Sequence, residues 1–438
     1  MFIRFAARAV TRHVGVFSAS LLALLCIAPP ATAEQLTVAE AQRLAVTRSR
    51  APEAQDAAAA AARDMAVAAG QLPDPVATVG VNNLPINGPD AWSFTKDFMT
   101  MTNVGLMQEF TREEKREARA ARYEREAEKA LAEKSAGIAA IQRETALAWL
   151  DRYYAEAMLA ALAEQRRQAG AEVDAAESAY RTGRGNLADV LAARSSLAGL
   201  DDRGSDLGRR AAAARIALAR WVGSVADAPL AGSPPIDAIR LDPRTLDAEV
   251  EQQPQLAALA KQEAVAAAEV RAAEAGKKGD WSLSVMYSQR GPSYSNMISV
   301  NVSVPVQWDQ KNRQDRELSA KLALLDQARA ERQDMLRARV AELRAMIAEW
   351  ESDRERSARY QRELLPLAAE RTQATLAAYR GAKASLADVL VARRNEVDVR
   401  LQALQLQADT ARLWAQLNFL APEDELARPV TTYRKDVP

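Results

Sequence analysis

The sequence has a single cysteine, Cys26, and a single histidine, His13, among its 438 residues. Both lie in a stretch typical of a secretory signal peptide, in which arginines 4, 8 and 12 precede an apolar run from 14 to 27 and an Ala-x-Ala cleavage site. Leu25 stands where a lipoprotein signal carries a small residue, so lipidation of Cys26 is disfavoured. The predicted mature chain, from Glu34, therefore lacks disulfides, thiolate or imidazole metal ligands, and Ser-His or Cys-His nucleophile pairs.

Charge imbalance, glycine-rich phosphate loops and long apolar runs are also missing. The chain carries 58 basic and 58 acidic residues, so nothing indicates a nucleic-acid partner. No apolar run after residue 34 approaches the ~20 residues of a membrane-spanning helix. A carboxylate or lysine active site stays open on composition alone, but no catalytic cluster is visible. We predict a protein that is not an enzyme, has no cofactor and no metal site, and would enter a membrane only as strands.

One motif occurs twice in the chain, at an offset of 199 residues. Tyr180–Arg194 reads YRTGRGNLADVLAAR, and Tyr379–Arg393 reads YRGAKASLADVLVAR. Self-similarity at such an offset indicates duplication of a whole structural unit. We predict a signal peptide at 1–33, a first repeat at 34–230, a second repeat at 231–425 and a C-terminal tail at 426–438.

Each predicted repeat contains one very long helix and one helix that returns beside it. The long helices cover about 112–181 and 312–380, and the return helices cover about 186–222 and 385–420. Alanine, leucine, glutamate and arginine dominate these segments, and all are strong helix formers. A helix of nearly 70 residues at ~1.5 Å per residue spans roughly 100 Å, too long for a compact globule. The pattern predicts antiparallel coiled-coil hairpins, with a kink or break near Pro366.

Each repeat also contains two predicted strands, at about 76–83 and 98–110 and at about 281–288 and 297–307. Apolar and polar residues alternate along the second pair, as in a transmembrane barrel with lipid outside and water inside. The predicted lipid-facing residues are Trp281, Leu283, Val285, Tyr287, Ile298, Val300, Val302 and Val304. A half-buried soluble sheet shows the same alternation; the signal peptide and long helices favour the barrel. Because four strands cannot close a barrel and open edges are not tolerated in lipid, we predict an oligomer, with twelve strands from three copies.

The order of these segments and the two tip motifs resemble the TolC-type outer-membrane efflux channels, the outer-membrane factors of tripartite efflux pumps. The passage Val104–Phe110 followed by Lys115 and Arg116 is a further mark, and its Gln-Glu-Phe form is most similar to the heavy-metal efflux branch. The resemblance implies a mainly α fold with a transmembrane β portion: a trimer with a 12-stranded β-barrel in the outer membrane and an α-barrel through the periplasm. It also implies a periplasmic adaptor, an inner-membrane pump of the resistance-nodulation-division type, and passive export of metal cations or small organic toxicants.

The resemblance also assigns roles to residues at the two tip turns. The predicted adaptor contacts are Gly183, Arg184, Gly185, Asn186, Gly381, Lys383 and Ser385. The predicted residues of the periplasmic aperture are Asp189, Asp388, Arg184, Lys383, Arg194 and Arg393. The four basic side chains of this set could pair with the two aspartates and hold the entrance shut. Each aspartate could line the entrance, cap its returning helix, or do both. Val391 and Ala192 replace the next acid of the family pattern.

The sequence leaves the role of three methionines and two alternative functions to be decided. Met99, Met101 and Met107 fall on one face of the first copy, and at strand spacing we interpret them as lipid-facing or packing residues. A periplasmic coiled-coil scaffold or adaptor without a pore would also have long hairpins. The channel of a type I protein secretion system would have the same architecture.

Overall fold

The computed structural model describes residues 35–422, so the predicted signal peptide at 1–33 and the tail at 426–438 lie outside the described residues. The helices are α1 Val38–Arg48, α2 Ala51–Ala69, α3 Glu113–Arg181, α4 Leu187–Val222, α5 Leu246–Glu251, α6 Pro254–Gly276, α7 Gln314–Arg359, α8 Leu365–Arg380 and α9 Leu386–Asn418. The strands are β1 Val76–Asn82, β2 Met101–Phe110, β3 Trp281–Gln289 and β4 Met297–Ser303. Within residues 35–422, every helix is too short or too polar to cross a bilayer.

The first hairpin consists of α3 and α4, joined at a short turn. Helix α3 runs without interruption for 69 residues, roughly 100 Å at ~1.5 Å per residue. It contains no proline, and Gly137 and Gly170 are its two glycines, so nothing in it breaks the backbone ladder. Helix α4 returns along α3 for 36 residues.

The long helix of the second hairpin, expected over 312–380 with a kink or break near Pro366, is interrupted a few residues before that proline. Helix α7 ends at Arg359, a π-helical turn occupies Tyr360–Leu364, and α8 follows. Pro366 lies in the first turn of α8, and the Leu365 N–H donates to the Tyr360 carbonyl, five residues back. Proline has no N–H to donate and its ring clashes with the carbonyl four residues earlier. The widened turn relieves that clash, so the break falls before Pro366.

The four strands form one antiparallel sheet in the order β1-β2-β3-β4. Strand β2 begins at Met101, later than the expected 98, and residues 83–100 connect it to β1. Strand β4 ends at Ser303, earlier than the expected 307. Val304, which was predicted to face lipid as part of this strand, therefore lies beyond the sheet, and its side chain is exposed.

The register aligns the apolar residues of all four strands in rows across one face. One row pairs Val79, Val104, Tyr287 and Ile298, and the next pairs Ala77, Leu106, Val285 and Val300. Seven of these eight side chains are valine, isoleucine, leucine or tyrosine that are at least 45% exposed within the chain, among them Val79 at 75% and Ile298 at 73%. The sheet therefore presents an uncovered apolar surface.

The main hydrophobic core lies midway along the hairpins, where a belt (residues 35–50 and 223–253) crosses the long helices. The belt consists of the short helices α1 and α5 and the irregular chain beside them. Three buried tryptophans bind the belt by donating their indole N–H to its backbone. Trp149 of α3 donates to the Leu36 carbonyl at 2.9 Å. Trp350 of α7 and Trp414 of α9 donate to the carbonyls of Ile236 and Ala238, each at 3.0 Å.

Candidate functional site

The first tip turn places Gly183 in a left-handed backbone conformation, with φ of 72°. The N–H groups of Arg184 and Gly185 both donate to the Ala179 carbonyl in the last turn of α3. These two hydrogen bonds close the end of the helix. A Cβ on Gly185 would lie 3.1 Å from the Cβ of Ala179, a tighter contact than usual, so glycine fits this position without any shift of its neighbours. The two glycines allow the chain to reverse within a few residues.

The second tip turn also begins at a glycine, Gly381. That residue has a φ of −84°, which any residue adopts, and the left-handed residue is Ala382, with φ of 54°. Ala382 lies 199 residues after Gly183, at the matching place in the repeated motif. The second turn therefore has the same shape as the first but places a strained alanine where glycine would be free of strain.

Both predicted tip aspartates lie in the first turn of a capped helix. The Asn186 side chain accepts from the Asp189 N–H at 2.8 Å, and Ser385 Oγ accepts from the Asp388 N–H at 3.2 Å. Asp388 reciprocates, since its Oδ2 accepts from the Ser385 hydroxyl at 2.7 Å and from the Ser385 N–H at 3.0 Å. These side-chain and backbone hydrogen bonds hold the pKa of Asp388 below its ordinary value. Helix capping is thus present within one chain.

Within the described chain, the predicted basic side chains do not pair with these two aspartates. Arg194 Nε lies 3.1 Å from Glu177 Oε1, and Arg393 Nε lies 3.1 Å from Glu172 Oε1. The Arg393 pair joins α9 to α3 and is largely buried, with side-chain exposures of 18% and 14%. Within one chain, each of these arginines therefore pairs with a glutamate of α3, the helix beside its own.

The other Arg and Lys of the tips are exposed. Arg184 Nε donates to Thr182 Oγ1 at 3.2 Å within its own turn. Lys383 lies at the matching surface of the second turn. Between the turns, a small apolar cluster packs the two hairpins together: Ala176, Val190, Ala193, Leu386, Val389 and Leu390. The two tips are therefore held side by side, with their polar turns facing outward.

The opposite face of the sheet is polar and also contains methionine. Its serines and asparagines include Asn103, Ser284, Ser288 and Asn301, which the register aligns across β2, β3 and β4. The methionines of this face are Met101, Met107, Met286 and Met297. Met101 and Met107 lie opposite the valine rows, so they do not share the face that was predicted to meet lipid; Met99 lies before β2.

A buried ion pair, not foreseen in the sequence, connects the sheet to the helices. Lys115 Nζ lies 2.7 Å from Asp280 Oδ2, with side-chain exposures of 9% and 16%. The Arg112 N–H donates to Asp280 Oδ1 at 3.0 Å, and Arg112 Nε donates to the Gly279 carbonyl at 2.9 Å. Burial alone would raise the pKa of Asp280, but the bonds from Lys115 and Arg112 outweigh it and lower that pKa. This pair joins the first turn of α3 to the residue that precedes β3.

Aromatic side chains lie at the same junction. Phe110 and Trp281, paired in the register, stack with ring centroids 4.2 Å apart. Trp308, after β4, is 91% exposed. Indole and phenyl groups at the end of an apolar sheet face are the arrangement found at membrane–water boundaries. The described part of the chain contains no group of three or more His, Cys, Asp or Glu side chains that could hold a metal ion.

The paired hairpins, the belt and the four-stranded sheet are the fold of the TolC-type outer-membrane channels. The match to the outer-membrane channel OprN has a TM-score of 0.72 at 17% identity, covering 88% of this chain and 89% of that one. The match to VceC of Vibrio cholerae has a TM-score of 0.70 at 18% identity, covering 87% and 95%. The match to the CmeC outer-membrane channel of Campylobacter jejuni has a TM-score of 0.72 at 14% identity, covering 88% and 85%.

Comparison of the sequence with protein-family models gives no match. Comparison with curated protein sequences gives none either. The likeness is thus one of fold, at sequence identities below 20%.

Proposed function

We propose that this protein is a passive exit channel of the outer membrane, the last component of a tripartite efflux system. The observation that carries the proposal is the sheet: one face is an uncovered apolar surface, and the outer edges of β1 and β4 have no partner strand within the described chain. An apolar face suits lipid, and open edges in lipid must be paired. Three copies would supply twelve strands and close the barrel.

The helices of the same three copies would form a hollow cylinder beneath the barrel. Each chain contributes two hairpins of roughly 100 Å, the scale of a passage through the periplasm. The tips, with Gly183, Arg184, Gly185, Asn186, Gly381, Lys383 and Ser385, would contact a periplasmic adaptor. An inner-membrane pump, of the resistance-nodulation-division type, would supply the energy. The cargo would be metal cations or small organic toxicants.

The aperture of this channel would be lined at the tips. Threefold symmetry would place three copies of Asp388 and three of Asp189 around the axis, and a ring of carboxylates favours cations over anions. Asp388 is exposed while it caps α9, so one carboxylate can do both. Arg184, Lys383, Arg194 and Arg393 would moderate the negative potential of this ring from its rim.

The internal repeat, also part of the proposal, is supported by three matched details. The caps Asn186 and Ser385 are 199 residues apart, as are the left-handed residues Gly183 and Ala382. Each copy also donates a tryptophan N–H to a belt carbonyl about 113 residues earlier, from Trp149 and Trp350.

The test is the mass and conductance of the mature protein extracted from outer membranes. We expect a trimer by native mass spectrometry and cation-preferring channels in planar bilayers, with the preference reduced by Asp388→Asn. Asn301→Gln, on the polar sheet face, is the control and should leave the preference unchanged. A soluble periplasmic monomer or dimer would overturn the proposal in favour of a scaffold without a pore.

A further inference from the structure

Methionine is confined to one face of the sheet. Four of the ten methionines of the chain lie in strands, and all four lie on the polar face: Met101, Met107, Met286 and Met297. The valine rows of the opposite face contain none. If methionine served here as apolar filling, the apolar face would be its place. The distribution instead places thioethers among serines and asparagines.

Three of these methionines form an oblique line, the methionine diagonal (Met107, Met286 and Met297). Met107 lies opposite Ser284, so Met286 is its diagonal neighbour on β3. Ser288 lies opposite Met297, so Met297 is in turn the diagonal neighbour of Met286 on β4. Diagonal neighbours on one sheet face are ~7–8 Å apart at Cα, within reach of long side chains.

The side chain of Met286 leans across β2. A Cβ built on Gly105 would lie 3.4 Å from both Cβ and Cγ of Met286, so the methionine covers the glycine. On β2, Gly105 is flanked on the same face by Asn103 and Met107. The absence of a side chain at residue 105 thus leaves room for the Met286 side chain between residues 103 and 107 of the same face.

Asn103 supplies an independent observation at this place. Its side chain is 3% exposed, and neither its oxygen nor its nitrogen has a hydrogen-bond partner among the described residues. Buried amides are nearly always paired, so an unpaired one needs an explanation. Asn103 lies opposite Ser288, so Met286 is its diagonal neighbour on β3, and the unpaired Asn103 Oδ1 is available as a ligand atom at this place.

Thioether sulfur is a soft ligand that selects Cu(I) and related ions, whereas carboxylate and water oxygens suit Mg²⁺, Ca²⁺ and Mn²⁺. We propose that the methionine diagonal binds soft monovalent cations, Cu(I) or Ag(I), and passes them along the inner wall of the barrel. Met107 with Met286, and Met286 with Met297, form two adjacent thioether pairs, with the Asn103 oxygen beside Met286. Sites that are adjacent and individually weak allow an ion to enter and leave. The inference rests on the proposed function, because only a closed barrel turns the polar face toward the lumen.

The test is binding of Ag(I) to the mature protein in detergent, titrated with silver nitrate in chloride-free buffer and read by calorimetry and native mass spectrometry. The site variant combines Met107→Leu, Met286→Leu and Met297→Leu, which keep side-chain volume and remove sulfur. The control combines Met65→Leu and Met335→Leu, at helical methionines that are 48% and 50% exposed.

We expect the wild type and the control to bind about one Ag(I) per chain or more, with Mg²⁺ in excess failing to compete. The site variant should lose that binding at least tenfold. Equal Ag(I) binding by the site variant and the wild type, or equal loss in the control, would overturn the inference. Bilayer conductance of the same three proteins reports separately on the pore: conducting channels without a silver site would reject this inference alone.

Discussion

A single hydroxyl at the second tip supports both the start of α9 and the charge of Asp388. Ser385 Oγ caps the helix and donates to the Asp388 carboxylate, while the Ser385 N–H makes the reciprocal bond. We predict that Ser385→Ala costs about 1 kcal/mol locally, so the first turn of α9 exchanges its amide hydrogens roughly fivefold faster. Because the lost bond also favoured the carboxylate form, the pKa of Asp388 should rise.

The first tip offers the matched control for this change. Asn186 caps α4 through one bond to the Asp189 N–H. Asn186→Ala should therefore speed exchange in α4 and leave α9 unchanged. Unaltered exchange in α9 of Ser385→Ala would show that packing, and not the cap, holds that turn.

The ion pair between Lys115 and Asp280 is the residue-scale link between sheet and helices. Asp280→Asn would leave the buried Lys115 ammonium without a counter-charge, at a cost of about 3 kcal/mol to the folded state. The folded-state pKa of Asp280 is lowered, so its stabilisation is complete above the ordinary carboxyl pKa of about 4 and is lost as pH falls below it. We expect chemical denaturation at neutral pH to show the loss, and the wild type to approach the variant below about pH 4.

The double variant Lys115→Met with Asp280→Asn distinguishes pairing from packing. Removing both charges should recover much of the stability, because no unpaired charge then stays buried. A double variant as unstable as Asp280→Asn would contradict the account.

At the scale of elements, the features set by local periodicity were the ones that sequence reasoning could predict. Alternation of period two in Trp281–Gln289 predicted which side chains share a face, and the strong helix formers of α3 predicted its length. Features that depend on partners could not be read this way. The Glu172–Arg393 pair joins residues 221 positions apart, and the left-handed conformation of Ala382 carries no glycine signal.

The methionines of β2 also show that local periodicity does not predict features that depend on partner strands. Periodicity placed Met101 and Met107 on one face but could not say which face of the assembled sheet it was. The register decided it, since Met107 aligns with Ser284 and Asn301 and not with Val285 and Val300. Pro366 is a similar case. A break in the helix was expected near this proline, but the interruption is the π-helical turn at Tyr360–Leu364, just before it.

At the scale of the molecule, the belt makes the two hairpins one body. Three helices from both halves, α3, α7 and α9, each donate a tryptophan N–H to a belt carbonyl. The sheet lies at one end of the hairpins and the polar tips at the other, so the belt lies between two surfaces that would face different partners.

Which surface of the molecule meets lipid can be tested with two neighbouring residues of β4. Val300 lies in the middle of the apolar face and is 63% exposed, while Asn301 lies on the polar face. Arginine on a lipid face near the bilayer midplane costs ~2–4 kcal/mol, whereas a water-filled lumen accepts it. We therefore predict that Val300→Arg reduces heat-resistant trimer in outer-membrane fractions severalfold, while Asn301→Arg assembles as the wild type and changes ion preference. Equal assembly of both variants would mean that the valine rows face water or protein instead of lipid, and the barrel would lose its main support.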